Sequence, residues 1–106
     1  MSLKNKSIII TGAAMGLGLA AAKELASQGA NLTLVDFNEK SLTDAQKQLV
    51  KEFPSVKIVT VLGDASKEED VKKYVDEAVK AFGRIDGLYN NAGIEGKQAP
   101  MTEYDI

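Results

Sequence analysis

The chain has 106 residues, 44% hydrophobic and 26% charged, with a net charge of −2 and neither cysteine nor histidine. That length suits one domain burying roughly 65% of its unfolded surface, and a lone arginine, Arg84, in an acidic chain excludes nucleic acid as a partner. The missing residue types exclude disulfides, the usual zinc sites and a histidine base, and no apolar run is long enough for a secretory signal or a membrane span, so a soluble cytoplasmic protein with no membrane partner is expected.

Ser7 to Thr11 is a β-branched run with apolar residues on both faces, the pattern of a central parallel strand, and it stops at Gly12. Leu17 to Gln28, rich in alanine and leucine, predicts a helix closed by Gly29. Leu32 to Val35 is a second strand that closes on Asp36. A second helix over Glu39 to Glu52 carries Leu42, Ala45 and Leu49 on one stripe, with Pro54 beyond its end. Val56 to Leu62 reads as the third strand, followed by Gly63-Asp64. Ser66 and Glu69 have the spacing of a capping box for a third helix reaching Phe82, which buries Val71, Val75, Ala78, Val79 and Phe82 and ends at Gly83. A short fourth strand lies within Ile85 to Tyr89, Asn90 to Pro100 is a loop, and Thr102 stands where a further helix would be capped. The order β-α-β-α-β-α-β predicts parallel strands joined by helical crossovers, an α/β three-layer sandwich over residues 1–106.

The first strand leads through Thr11-Gly12-Ala13-Ala14-Met15-Gly16-Leu17-Gly18 straight into a helix. In a dinucleotide-binding loop Gly12 makes the tight turn off the strand. Gly16 lets the backbone approach a pyrophosphate, and Gly18 lets the helix pack closely on the sheet. The helix N-terminus then offers N–H groups and partial positive charge to the phosphates. The GxxxGxG spacing differs from GxGxxG, and no GK[ST] ending follows, which excludes a P-loop. Glycines that merely make a turn are the plainer alternative. Asp36 stands 24 residues after Gly12, where an acid meets the adenosine ribose. Its charge opposes the 2′-phosphate of NADP, and neither Met15 nor Phe37 supplies a compensating cation, so NAD is expected and NADP disfavoured. Asp64 could accept from the adenine amino group, or could equally be a helix-entry acid.

These residues together with Asn90-Asn91-Ala92-Gly93 resemble the classical short-chain dehydrogenases/reductases, over essentially the whole chain. The resemblance implies a Rossmann-type doubly wound sheet, hydride transfer between a nicotinamide cofactor and an alcohol or carbonyl substrate, and a homo-oligomer. It implies that Gly12, Ala14, Met15, Gly16 and Leu17 line the pyrophosphate, that Asp36 and Phe37 flank the adenosine ribose, and that Asp64 and Ala65 hold the adenine. Asn91, Ala92 and Gly93 would border the nicotinamide side, and Asn90 would brace the sheet. The family's Tyr-x-x-x-Lys pair and serine are absent: four residues beyond Tyr74 and Tyr89 stand Ala78 and Gly93, and Tyr104 is followed by two residues only. The chain is therefore expected to be the cofactor-binding N-terminal part, inactive alone, with the fourth strand left as a bare edge that invites self-association. A non-catalytic NAD-binding module is the alternative, and a methyltransferase is disfavoured by the GxxxGxG spacing and Asn90 to Gly93.

Overall fold

The computed structural model describes residues 3–14, 16–64 and 67–90, together with the backbone of residues 102–103. Three consecutive isoleucines make β1 (Ser7–Thr11) apolar on both faces, and all five of its residues are buried. Such a strand is stable only in the middle of a sheet covered on both sides. It lies there: β2 (Asn31–Asp36) flanks it on one side and β4 (Gly87–Asn90) on the other, both parallel to it. With β3 (Ile58–Leu62) and β5 (Thr102–Glu103) the sheet order is β3-β2-β1-β4-β5, and β5 runs antiparallel to β4.

The connecting helices are α1 (Gly16–Ser27), α2 (Glu39–Glu52) and α3 (Glu68–Phe82). The chain steps from β1 outward to β2 and β3, then returns across the sheet to β4. Crossovers of one hand put helices on opposite faces when the direction of stepping reverses. Accordingly Ile8, Ile10, Leu32, Leu34 and Ile58 share a core with Ala22, Leu25 and Ala26 of α1 and Leu42 and Leu49 of α2. The alternate residues Ile9, Val35 and Val61 pack with Tyr74 and Ala78 of α3. The period of two along each strand thus divides the apolar residues between two cores. Burying one Ile or Leu contributes about 1.5–3 kcal/mol, and of the fully buried Ile and Leu side chains, Ile9, Ile10, Leu32 and Leu34 belong to β1 and β2, with Leu49 of α2 beside them. That strand pair anchors the fold.

Several local expectations need correction. The third strand begins at Ile58, because Val56 turns back to bond Phe53, its N–H donating to the Phe53 carbonyl at 3.2 Å; Val56 is buried without being in the ladder. The first helix runs one residue earlier at each end than expected, and Gly29 instead donates its N–H to Ala26 O in the closing turn. Val79 is 46% exposed rather than buried, and Val71, Val75 and Phe82 are only half-buried. α3 turns Tyr74 and Ala78 squarely onto the sheet, so the valines fall on its flank. The helix N-cap is Lys67, which makes no side-chain capping bond; Ser66, the expected cap, lies outside the described residues. Thr102 begins no helix but pairs with Leu88, as Glu103 does with Gly87. The open edge of β4 offers backbone groups that a local capping signal cannot reveal, and β5 covers part of the edge expected to be bare. Among the described residues no helix is long and apolar enough to cross a membrane.

Candidate functional site

At the carboxyl ends of the strands, the direction of stepping reverses between β1 and β4, the topological switch point at which α/β sheets take ligands. Thr11, fully buried at the end of β1, donates its hydroxyl to Asn90 Oδ1 at 2.8 Å. These two are register partners, so Asn90 ties the tips of β1 and β4 together. The chain leaves β1 through Gly12 at φ 63° and enters α1 through Gly16 at φ 60°. Both conformations lie in the left-handed region that a side chain rarely adopts. A Cβ placed on Gly16 would meet no described atom within 4 Å. Gly18, two residues on, is buried in α1.

The loop is pulled toward β2. Ala13 N donates to Val35 O at 3.2 Å, and Ala14 N donates to Asp36 Oδ2 at 3.0 Å. The other carboxylate oxygen, Oδ1, accepts from Asn38 N at 3.1 Å, while the Asp36 carbonyl accepts from Gly63 N at 2.9 Å. Asp36 is only 7% exposed although it ends a strand. Beyond it, Asn38 caps α2 by accepting from Ser41 N at 3.0 Å. Leu17 and Phe37 open onto solvent at this end of the sheet, Phe37 with 82% of its surface exposed.

After β3 the turn at Gly63-Asp64 is fixed from α3. Asp64 N donates to Asp70 Oδ2 at 2.8 Å, and a Cβ on Gly63 would crowd the Asp70 carboxyl at 3.3 Å. Sequence reading missed Asp70, whose place in the first turn of a helix reads only as a favourable helix-dipole charge. It also missed Lys73, whose ammonium donates to Leu62 O at the end of β3. Asp64 itself is exposed. The structure therefore brings Gly12, Ala14, Gly16, Leu17, Asp36, Phe37 and Asp64 to one end of the sheet. Met15, Ala65, Asn91, Ala92 and Gly93 lie outside the described residues. Among the described residues no group of three or more carboxylates could hold a metal ion.

A glycine loop at a helix N-terminus, with a buried carboxylate on the neighbouring strand, has the types of donor and acceptor that a dinucleotide requires. Comparison with known proteins gives the same picture. Residues 6–106 match the family model described as short chain dehydrogenase. Levodione reductase of Leifsonia aquatica is 41% identical over 100 residues, which cover 94% of this chain and 38% of that protein. The chain thus spans well under half the length of the curated relatives it matches. The crystal structure of levodione reductase superposes with a TM-score of 0.82 at 42% identity, covering 92% of this chain and 38% of that one. A Burkholderia phymatum short chain dehydrogenase/reductase in complex with NAD gives 0.82 at 34% identity, over 89% and 33% of the two chains. L-Sorbose reductase of Gluconobacter frateurii, complexed with NADPH and L-sorbose, gives 0.85 at 33% identity, over 93% and 37%. Fold, glycine loop and relatives agree, and the chain belongs to the short-chain dehydrogenase family.

Proposed function

We propose that this chain is the cofactor-binding part of a dehydrogenase or reductase acting on an alcohol or carbonyl substrate, and that it holds NAD in preference to NADP. The observation that carries this reading is Asp36: a buried carboxylate at the end of β2 whose hydrogen bonds come from backbone N–H groups and not from a cation. When bound, the nicotinamide cofactor accepts or delivers the hydride. Gly12, Ala14, Met15, Gly16 and Leu17 line its pyrophosphate, with the α1 N-terminus supplying donors. Asp36 accepts from the ribose hydroxyls beside Phe37, Asp64 and Ala65 hold the adenine, and Asn91, Ala92 and Gly93 border the nicotinamide side. The proton-transfer groups are supplied by residues beyond these 106, and the family resemblance supports a homo-oligomer.

A 2′-phosphate about 4 Å from Asp36 is repelled by about 1 kcal/mol per charge pair in bulk water and about 4 kcal/mol at a partly buried site. Each 1.4 kcal/mol is about tenfold in affinity. Calorimetric titration of the full-length protein should therefore find NAD bound at least tenfold more tightly than NADP, and Asp36→Ala should narrow the ratio. Equal dissociation constants for the two cofactors in the unmutated protein would remove the preference.

A further inference from the structure

Asp36 does something that needs no cofactor. The β1–β2 ladder runs through Thr11 and Val35, and the main chains part where Gly12 turns away. Ala13 N still reaches Val35 O at 3.2 Å. The next N–H, that of Ala14, has no main-chain acceptor to meet on β2, because the Asp36 carbonyl is directed to Gly63 N. The Asp36 side chain fills that place, its Oδ2 accepting from Ala14 N at 3.0 Å. Ala14 is only 6% exposed, so water is a poor substitute acceptor. Through Oδ1 the same carboxylate fixes Asn38 and the turn into α2.

We infer that Asp36 is a positioning residue for the phosphate loop: its carboxylate extends the β1–β2 ladder by one rung and holds Ala14, and with it the glycine turn, in the shape that receives a pyrophosphate. Each carboxylate oxygen has two lone pairs, and one donor to each leaves capacity for ribose hydroxyls. The two roles are therefore carried by one group at once. A substitution at Asp36 made to admit NADP also releases the loop, and that part of the loss is shared by both cofactors. The inference rests on the proposed cofactor reading for its ligand, and on the Ala14 bond alone for its mechanism.

The test uses full-length protein, its Asp36→Ala and Asp36→Asn variants, and an NAD analogue whose adenosine ribose lacks both hydroxyls. If Asp36 acted only on the ribose, parent and Asp36→Ala would bind this analogue equally, and that result overturns the inference. A hydrogen bond to a charged acceptor is worth roughly tenfold or more in an equilibrium, so Asp36→Ala should bind the analogue about tenfold more weakly than the parent. Asp36→Asn, which keeps one acceptor oxygen, should recover most of the loss. The Ala14 amide in ¹⁵N-labelled protein without ligand gives the second readout. It should exchange slowly in the parent and distinctly faster in Asp36→Ala, and unchanged exchange overturns the inference even if no cofactor binds. Failure of the parent to bind NAD would instead remove the proposed function. Should Asp36→Ala not fold, Asp36→Leu decides: it keeps the bulk of the buried side chain without an acceptor, so the Ala14 amide should lose protection, and unchanged exchange there overturns the inference.

Discussion

The two ends of the sheet solve one problem with different chemistry. At both, strands diverge before their backbone groups are all paired, and a side-chain carboxylate takes over. At the amino end Asp86 Oδ2 accepts from Ser7 N at 2.8 Å, while Asp86 N donates to Ser7 O at 2.7 Å, joining the start of β1 to the entry of β4. Its other oxygen is neutralised by Arg84, whose Nη2 lies 2.6 Å away. At the carboxyl end Asp36 accepts from two backbone N–H groups. A carboxylate paired with a guanidinium has its charge answered inside the fold. One held by main-chain dipoles keeps net negative charge available to whatever binds there. The amino end closes its carboxylate with a cation, and the carboxyl end holds its own with main-chain donors alone among the described residues, which is where we propose the ribose hydroxyls bind.

The largest expected effect breaks the carboxyl end alone. Gly16→Val puts a β-branched side chain at φ 60°, a conformation that costs a non-glycine residue about 1–3 kcal/mol, and fills the side of the loop where we place the pyrophosphate. NAD affinity should fall at least a hundredfold on the order-of-magnitude scale of that strain and the lost approach together. Circular dichroism should still report an α/β fold, because no described atom lies within 4 Å of the new Cβ. Normal NAD binding by Gly16→Val would show that the loop is only a turn.

The sequence made this end legible to different depths. Gly12 and Gly16 announce themselves because the conformations they adopt suit little else, and β1 and β2 because three isoleucines and Leu32 to Val35 have a period and a length. Asp36 could be placed by its spacing from Gly12, since a loop, a helix and a return strand have nearly fixed lengths. Its bond to Ala14 could not, because that depends on how far two main chains separate between residues 22 apart in sequence. Asp70 was hidden for the same reason: its carboxylate reaches back to Asp64 N, and nothing in a helix's first turn signals a contact outside the helix. Val79 misled because helical spacing identifies an apolar stripe without stating which part of it faces the sheet. Thr102 misled because an N-cap is a local pattern and pairing with Leu88 is a distant one.

A smaller effect isolates the amino end. Asp86→Ala leaves the Ser7 N–H without its acceptor in a residue with no exposed surface. An orphaned buried donor costs about 1–3 kcal/mol, whereas the half-exposed Arg84 contact adds under about 1 kcal/mol. Urea unfolding should therefore show a loss of about 1–3 kcal/mol, most of it from the orphaned donor, with NAD affinity unchanged. A fall in NAD affinity comparable to that of a loop variant would mean that the two ends are coupled through β1.

The smallest effect separates charge from hydrogen bonding at Asp86. Burial alone would push this carboxyl above its ordinary value of 3.8, but the Arg84 hydrogen bond, the Ser7 N–H and the charges of Arg84 and Lys6 outweigh it and hold it lower. A carboxylate whose folded pKa lies below its unfolded one adds stability that is complete above the unfolded value and disappears as pH falls through the folded one. Asp86→Asn keeps an oxygen for Ser7 N and cannot titrate, so the parent's advantage over it measures the charge. That advantage should be constant from neutral pH down to about 5, shrink below about 4 and vanish in stronger acid. Because Arg84 is 54% exposed, its plateau should stay under about 1 kcal/mol. Chemical denaturation of both proteins across that range measures the difference directly. An advantage that persisted undiminished into strong acid would assign the clasp to hydrogen-bond geometry alone, and the contrast between the ends would then rest on Asp36.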